Sequence, residues 1–216
     1  MDAVKVPLTH ETSPIARVFN RSWLGLVAGA HVLLGRLHAA IVAYRRLLAL
    51  APTDERALVA LGNLLAQTDD VDAAVAAFRR LLEHHPDNAE ASFNLGYLLE
   101  KLGELAEAEA CFRKAVAIQP ALDRAWYGLG LVLIQQGRLE DAAAALAKNT
   151  QLQPFNPYGW YQLGMTQHHL GRSAEAYEVY ETLRRFEPRY AATLRRDLQT
   201  TQRRANARGA EEKPCN

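Results

Sequence analysis

Five prolines lie at a constant spacing of 34 residues along this chain. A glycine and an alanine recur with the same period at fixed distances from each proline. A period of this length indicates that one supersecondary unit is repeated, and that each unit packs on its neighbours. The sequence therefore predicts a stack of repeats. The periodic residues are Pro52, Pro86, Pro120, Pro154 and Pro188, with Gly62, Gly96, Gly130 and Gly164, and with Ala40, Ala74, Ala108, Ala142 and Ala176.

Each repeat is predicted to contain two helices joined by a tight turn. In the third repeat, Leu95, Leu99 and Leu102 recur at helical spacing until Gly103, and a second apolar face follows. The periodic proline ends the second helix, because proline cannot continue the backbone hydrogen-bond ladder. The predicted turns are at Gly35, Asp69, Gly103, Gly137 and Gly171, and the predicted repeats are 21–54, 55–88, 89–122, 123–156 and 157–190.

The ends of the chain are predicted to differ from the repeats. Residues 1–20 are read as an N-terminal extension. Tyr190, Leu194 and Leu198 fall on one helical face, which predicts a capping helix over 191–204 that covers the last repeat. The segment 205–216 has too little apolar surface to bury and is predicted to be disordered.

The periodic glycines lie inside the predicted first helices, where glycine costs about 1 kcal/mol relative to alanine. We expect close approach of the second helix to offset this cost. The expected partner is the alanine that lies 12 residues later, as in Gly96 and Ala108.

The chain resembles the tetratricopeptide repeat (TPR) family over residues 21–190. The residues that carry the resemblance are Trp126, Leu129, Gly130, Ala142 and Pro154 in one repeat, and Trp160, Leu163, Gly164, Ala176, Tyr180 and Pro188 in the next. The resemblance implies an all-α fold, a right-handed α-solenoid of five helix-turn-helix units with a C-terminal capping helix.

In this family the first helices of the repeats line a concave groove, so the resemblance implies a scaffold or adaptor that binds a peptide or a partner's segment. Exposed tyrosines suit such a surface, because each offers a large rigid area and a polar tip. Asparagines there are expected to bond the ligand backbone, and basic residues to favour acidic ligands. The groove positions map to Arg56, Asn63, Phe93, Asn94, Tyr97, Lys101, Arg124, Tyr127, Tyr158, Tyr161, Met165 and His168.

Several alternatives stay open. The tyrosines could instead only pack between adjacent helices. The apolar segment 23–34 could dock into a larger assembly or onto a second copy, which would make the chain an obligate subunit of a multiprotein complex. The chain could also be an accessory to a transferase or a chaperone system. The chaperone-type clamp for a terminal carboxylate is disfavoured, because Val59 and Gly128 stand where the clamp needs cations.

The sequence contains no motif for catalysis, a cofactor or a metal, so we predict a non-enzyme without cofactors. Adjacent histidines such as His84 and His85 point about 100° apart on a helix and cannot chelate a metal together. A net charge of +1 does not call for a nucleic-acid partner. The most apolar stretch, 23–34, is shorter than the roughly 20 residues that span a bilayer. A cytoplasmic protein without membrane insertion is therefore expected.

Overall fold

A computed structural model describes residues 14–211 of the chain, and their side chains over 20–201. Within these limits the protein consists of eleven helices and has no strand. The helices are α1 (Pro14–Leu33), α2 (Leu37–Leu50), α3 (Glu55–Gln67), α4 (Val71–His84), α5 (Ala89–Lys101), α6 (Leu105–Ile118), α7 (Asp123–Gln135), α8 (Leu139–Leu152), α9 (Pro157–His169), α10 (Ser173–Phe186) and α11 (Pro188–Glu211).

The turns inside the helix pairs lie where the sequence predicted them. Gly35, Gly103, Gly137 and Gly171 have φ angles of 68°, 80°, 75° and 75°, and Asp69 has 61°. In the third pair, the N–H of Gly103 donates to the carbonyl of Glu100 at 3.0 Å, and the N–H of Glu104 donates to the carbonyl of Leu99 at 2.9 Å. These two bonds define a Schellman motif, which needs a left-handed residue and so favours glycine.

The helices form two compact units, which divide between Pro86 and Asp87. In the first unit, α1 packs on α2 and α3 packs on α4, while α2 also contacts α3. Leu58, Phe78 and Leu81 are fully buried in this unit. Asp54 caps α3 by accepting a hydrogen bond from the N–H of Ala57 at 3.0 Å. Residues 23–33 thus belong to α1, which packs on α2 as the first helix of the first pair.

In the second unit, the pairs α5/α6, α7/α8 and α9/α10 follow one another, and α11 packs on α9 and α10. The first helices of the pairs are neighbours, since α5 contacts α7, and α7 contacts α9. The indole N–H of Trp126 donates to the carbonyl of Pro120, and that of Trp160 to the carbonyl of Pro154, both at 2.9 Å. The tryptophan therefore ties α7 and α9 each to the loop that precedes it.

The predicted partner of the helical glycines is wrong. A β-carbon at Gly62 would lie 2.8 Å from the ring of Phe78, and one at Gly96 would lie 3.0 Å from the ring of Phe112. At these two glycines the close neighbour is thus the large residue 16 positions later, whereas the closest side chain at Gly164 is Leu194. None of the three atoms nearest to a β-carbon at either position belongs to the alanine 12 residues later.

Both ends of the chain differ from the predicted boundaries. α1 begins at Pro14, inside the predicted extension 1–20, and residues 1–13 lie outside the described part. α11 covers 188–211 rather than 191–204, so the predicted disorder is wrong for 205–211, while 212–216 lie outside the described residues. Alanine and arginine have high helix propensity, in keeping with the helical backbone of this segment.

Candidate functional site

The predicted groove residues lie on four helices in two units. Arg56 and Asn63 are on α3, in the first unit. The other ten are on helices of the second unit, with four on α5, two on α7 and four on α9. We describe the two units separately.

In the second unit, a cavity of about 260 Å³, which we call the aromatic cavity, opens along α5, α7 and α9. Five of the predicted residues line this cavity together, and they supply four of its aromatic rings. These five are Phe93, Tyr97, Arg124, Tyr127 and Tyr158. The lining is completed by Glu100, Phe112, Asp123, Gly128, Leu131, Asn149 and Asn156.

The aromatic residues of this cavity are exposed to different degrees. Tyr97 is 52% exposed and Tyr158 is 56% exposed, whereas Phe93 and Tyr127 are half-buried. The rings of Phe93 and Phe112 pack with centroids 5.9 Å apart. Gly128 makes room for Phe112, because a β-carbon there would lie 2.6 Å from its ring. Tyr97 and Tyr158 are thus the exposed rings of the cavity, and the ring of Tyr158 also packs edge-on against Tyr190 of α11, with centroids 5.4 Å apart.

Arg124 is already engaged by its neighbours. Its Nη2 atom donates to both carboxylate oxygens of Glu90, at 3.0 and 2.8 Å. The guanidinium also lies over the ring of Phe93, 4.8 Å from its centroid. The sequence analysis expected Arg124 to favour acidic ligands. In the structure, the acidic partner of Arg124 is Glu90 of the same chain.

Three predicted residues of α9 lie against other helices and do not line the aromatic cavity. The hydroxyl of Tyr161 donates to Asp197 of α11 at 2.8 Å. Met165 packs against the buried core around Leu163 and Leu194. His168 borders a separate cavity between α9, α10 and α11. Tyr161 thus contacts the terminal helix α11, rather than only the neighbouring first helices that the packing alternative named.

The pKa values of two α9 side chains reflect this environment. Burial, and then the hydrogen bond to Asp197, raise the pKa of Tyr161. Burial, and then the nearby His169, lower the pKa of His168. Both shifts favour the neutral form of the side chain inside the packed region.

The remaining predicted residues do not line the aromatic cavity. On α5, Asn94 is half-buried and Lys101 is exposed. On α3, exposed Arg56 borders a polar surface pocket with Arg21 and Asp54. Asn63 borders an apolar pocket that is formed mainly by α1 and α3.

Asn149 is a lining residue that the sequence analysis missed. It is 2% exposed, and its Nδ2 atom donates to the carbonyl of Asp123 at 2.9 Å. Its Oδ1 atom has no hydrogen-bond partner in the described part of the chain. A β-carbon on Gly159 would overlap that oxygen. Glycine at 159 therefore makes room for the buried amide.

The 34-residue register contained a signal for this pair. The positions equivalent to Asn149 are Leu47, Leu81, Ala115 and Leu183, and those equivalent to Gly159 are Ala57, Ala91 and Ala125. Both residues depart from the repeat pattern, and they do so at two positions that are in contact.

Among the described residues, no group of three or more histidine, cysteine or acidic side chains is placed to hold a metal ion. The same part of the chain contains no helix that is both long and apolar enough to cross a membrane.

Family models of the tetratricopeptide repeat match residues 59–123, 103–161 and 157–186. The chain belongs to the tetratricopeptide repeat family. A comparison with curated protein sequences finds no match.

Solved structures with the same fold include MamA, with a TM-score of 0.74 and 21% identity over 80% of this chain and 94% of that one. MamA from Desulfovibrio magneticus RS-1 has a TM-score of 0.72 and 24% identity over 78% and 96% of the two chains. YrrB, described as a TPR protein with an unusual peptide-binding site, has a TM-score of 0.70 and 22% identity over 78% of this chain and 88% of that one. These matches confirm the all-α TPR solenoid, and together with the family they support a role as a protein-interaction scaffold.

Proposed function

We propose that this protein is a non-catalytic adaptor, and that it binds an extended peptide or a segment of a partner protein at the aromatic cavity of α5, α7 and α9. The observation that carries the proposal is the pair of exposed tyrosines, Tyr97 and Tyr158, which line one cavity together with the packed rings of Phe93 and Phe112. Aromatic side chains placed in this way are typical anchors of protein interfaces, because they bury a large area at a small entropic cost.

The size of the cavity agrees with a peptide ligand. Its volume of about 260 Å³ lies just below the range of about 300–1,000 Å³ that is usual for small-molecule pockets. A space of this size accommodates one or two side chains of an extended segment. The peptide-binding site that is ascribed to YrrB supports the same mode of recognition.

A peptide library displayed against the immobilised full chain tests this proposal. We expect Tyr97→Ala combined with Tyr158→Ala to weaken binding of the selected peptides at least tenfold, because truncated interface anchors each cost about 1–2 kcal/mol or more. The thermal unfolding midpoint should change little, since both side chains are more than half exposed.

Tyr177→Ala is the matched control. Tyr177 is 60% exposed on α10 and does not line the aromatic cavity. Its substitution should leave the affinity unchanged. Equal binding by the wild-type chain and the double variant would show that the peptides bind elsewhere.

A second proposed function is that of a subunit that docks through α1 onto a second copy or a larger assembly. Leu26 and Leu33 are 74% and 90% exposed on this helix. Exposed apolar side chains that share a surface often mark an interaction site. Leu26→Gln combined with Leu33→Gln should lower the molar mass measured by light scattering toward that of a monomer. An unchanged monomer mass for the wild-type chain at high concentration would argue against self-association.

The cytoplasmic location, the absence of a nucleic-acid partner and the absence of catalysis stay predictions. Turnover of a substrate by the isolated chain would contradict the adaptor function. The accessory role in a transferase or chaperone system also stays open, since such a role needs the same kind of docking surface.

A further inference from the structure

We propose that the aromatic cavity receives the side chain of a lysine or an arginine of the bound peptide. This inference rests on the proposed peptide-binding function and specifies the chemistry of its ligand. It reverses the preference for acidic ligands that the sequence suggested.

The charges at the cavity are the first argument. The charged residues of its lining are Glu100, Asp123 and Arg124. Because Arg124 pairs with both carboxylate oxygens of Glu90, its positive charge is balanced within the chain. Glu100 and Asp123 therefore leave an excess of negative charge at the cavity.

Among the described residues, neither of these two carboxylates has a basic partner. An oxygen of Glu100 accepts a hydrogen bond from the neutral amide of Gln135 at 2.6 Å. For the carboxylate of Asp123, the described part of the chain contains no hydrogen bond or ion pair. Asp123 lies in the first turn of α7, where the helix dipole compensates part of its charge. A ligand cation would compensate the rest.

The aromatic rings are the second argument. The faces of phenylalanine and tyrosine rings attract cations through their quadrupole. Phe93 already accepts the guanidinium of Arg124 at 4.8 Å, which demonstrates this contact in one wall of the cavity. Tyr97, Tyr127 and Tyr158 supply further rings. Lysine and arginine also carry alkyl stems, which pack on such rings while the charged head reaches a carboxylate.

Other anchors fit the cavity less well. An acidic side chain would approach Glu100 and Asp123 while the nearest guanidinium is already paired, and like charges repel. A purely apolar anchor would remove water from the two carboxylates without giving them a partner, which costs free energy. The charge pattern therefore selects a basic anchor.

The test uses a random peptide library on the immobilised full chain, followed by measurement of Kd for the most enriched peptide. We expect lysine or arginine to be enriched at one position. Replacement of that residue by glutamine should weaken binding about tenfold, and raising NaCl from 50 to 500 mM should weaken binding of the basic peptide, since salt screens exposed charges.

The protein side is tested by Glu100→Gln combined with Asp123→Asn, which keeps the size of both side chains. This variant should bind the basic peptide about tenfold more weakly than the wild type does. Its Kd values for the basic peptide and for the glutamine-substituted peptide should differ by less than about twofold. Glu140→Gln combined with Glu175→Gln removes the same charge from exposed positions that do not line the cavity, and should behave as the wild type.

The outcomes separate this inference from the proposed function. If the enriched peptides are acidic or uncharged and still require Tyr97 and Tyr158, the basic anchor is excluded while peptide binding stands. If no enriched peptide distinguishes the wild type from the double tyrosine variant, both proposals fail.

Discussion

At the scale of single residues, the contact between Asn149 and Gly159 is the clearest departure from the repeat pattern. A buried acceptor without a hydrogen-bond partner costs about 1–3 kcal/mol, and Asn149 Oδ1 is such an atom in the described structure. One repeat earlier in the chain, alanine occupies both equivalent positions, Ala115 and Ala125. Asn149 lines the aromatic cavity, and its Nδ2 atom donates a hydrogen bond to the carbonyl of Asp123, which offsets part of this cost.

We predict strong coupling between these two positions. Gly159→Ala alone should lower the free energy of unfolding by about 1–3 kcal/mol, because the new methyl group overlaps the amide oxygen. Asn149→Ala in the same chain should restore at least half of that loss, because it removes the overlap. Urea unfolding of the four proteins of the double-mutant cycle measures this. Additive effects would contradict the contact.

At the scale of helices, α11 packs on α9 and covers the part of its surface around Tyr161 and Gly164. Leu194 is fully buried against the core of the last repeat and lies close to Gly164, where a β-carbon would be 2.8 Å from its side chain. The same helix accepts the hydrogen bond from Tyr161. A terminal helix that covers the last repeat is a general requirement of repeat proteins.

Leu194→Ala should therefore destabilise the second unit by about 2–5 kcal/mol, as expected when a buried leucine is truncated. Arg195→Ala is the control, because that neighbouring side chain is exposed. Chemical unfolding followed by circular dichroism provides the comparison. If both variants unfold at the same denaturant concentration as the wild type, α11 does not cover the last repeat in solution.

The same helices predict a dependence on pH. Burial and the neighbouring His169 lower the pKa of His168, so the folded protein binds fewer protons at this position than the unfolded chain. The free energy of unfolding should therefore fall as the pH drops below about 6.5, the ordinary value for histidine. His168→Gln should reduce this slope between pH 7 and 5. An identical slope would assign the effect to other groups.

At the scale of the whole molecule, the aromatic cavity is contained in one of the two units. Every residue that lines it lies between 93 and 158, whereas the second unit begins at Asp87. The stability of a repeat protein is approximately a sum over its repeats and their neighbouring contacts, so removal of some repeats lowers it gradually.

A fragment of residues 87–216 should consequently remain helical and bind the selected peptides with an affinity within about threefold of the full chain. Its unfolding midpoint should be lower, because it has fewer repeats. Isothermal titration calorimetry and circular dichroism test both points. A folded fragment with more than tenfold weaker binding would show that the first unit contributes to the site.

The sequence by itself determined the helix pairs and the turns. Local hydrophobic periodicity and a left-handed residue suffice to specify these features, as at Gly103 and Asp69. The register also brought Phe93, Tyr97, Arg124, Tyr127 and Tyr158 to one cavity, because equivalent positions of stacked helices face the same way.

Only the tertiary structure decided what each of these side chains contacts. The pairing of Arg124 with Glu90, the bond of Tyr161 to Asp197 and the ring of Phe112 against Gly128 join residues at least 16 positions apart. Such contacts depend on the reach and rotamer of each side chain across neighbouring helices. A periodic pattern specifies the face of a helix, but it does not contain that information.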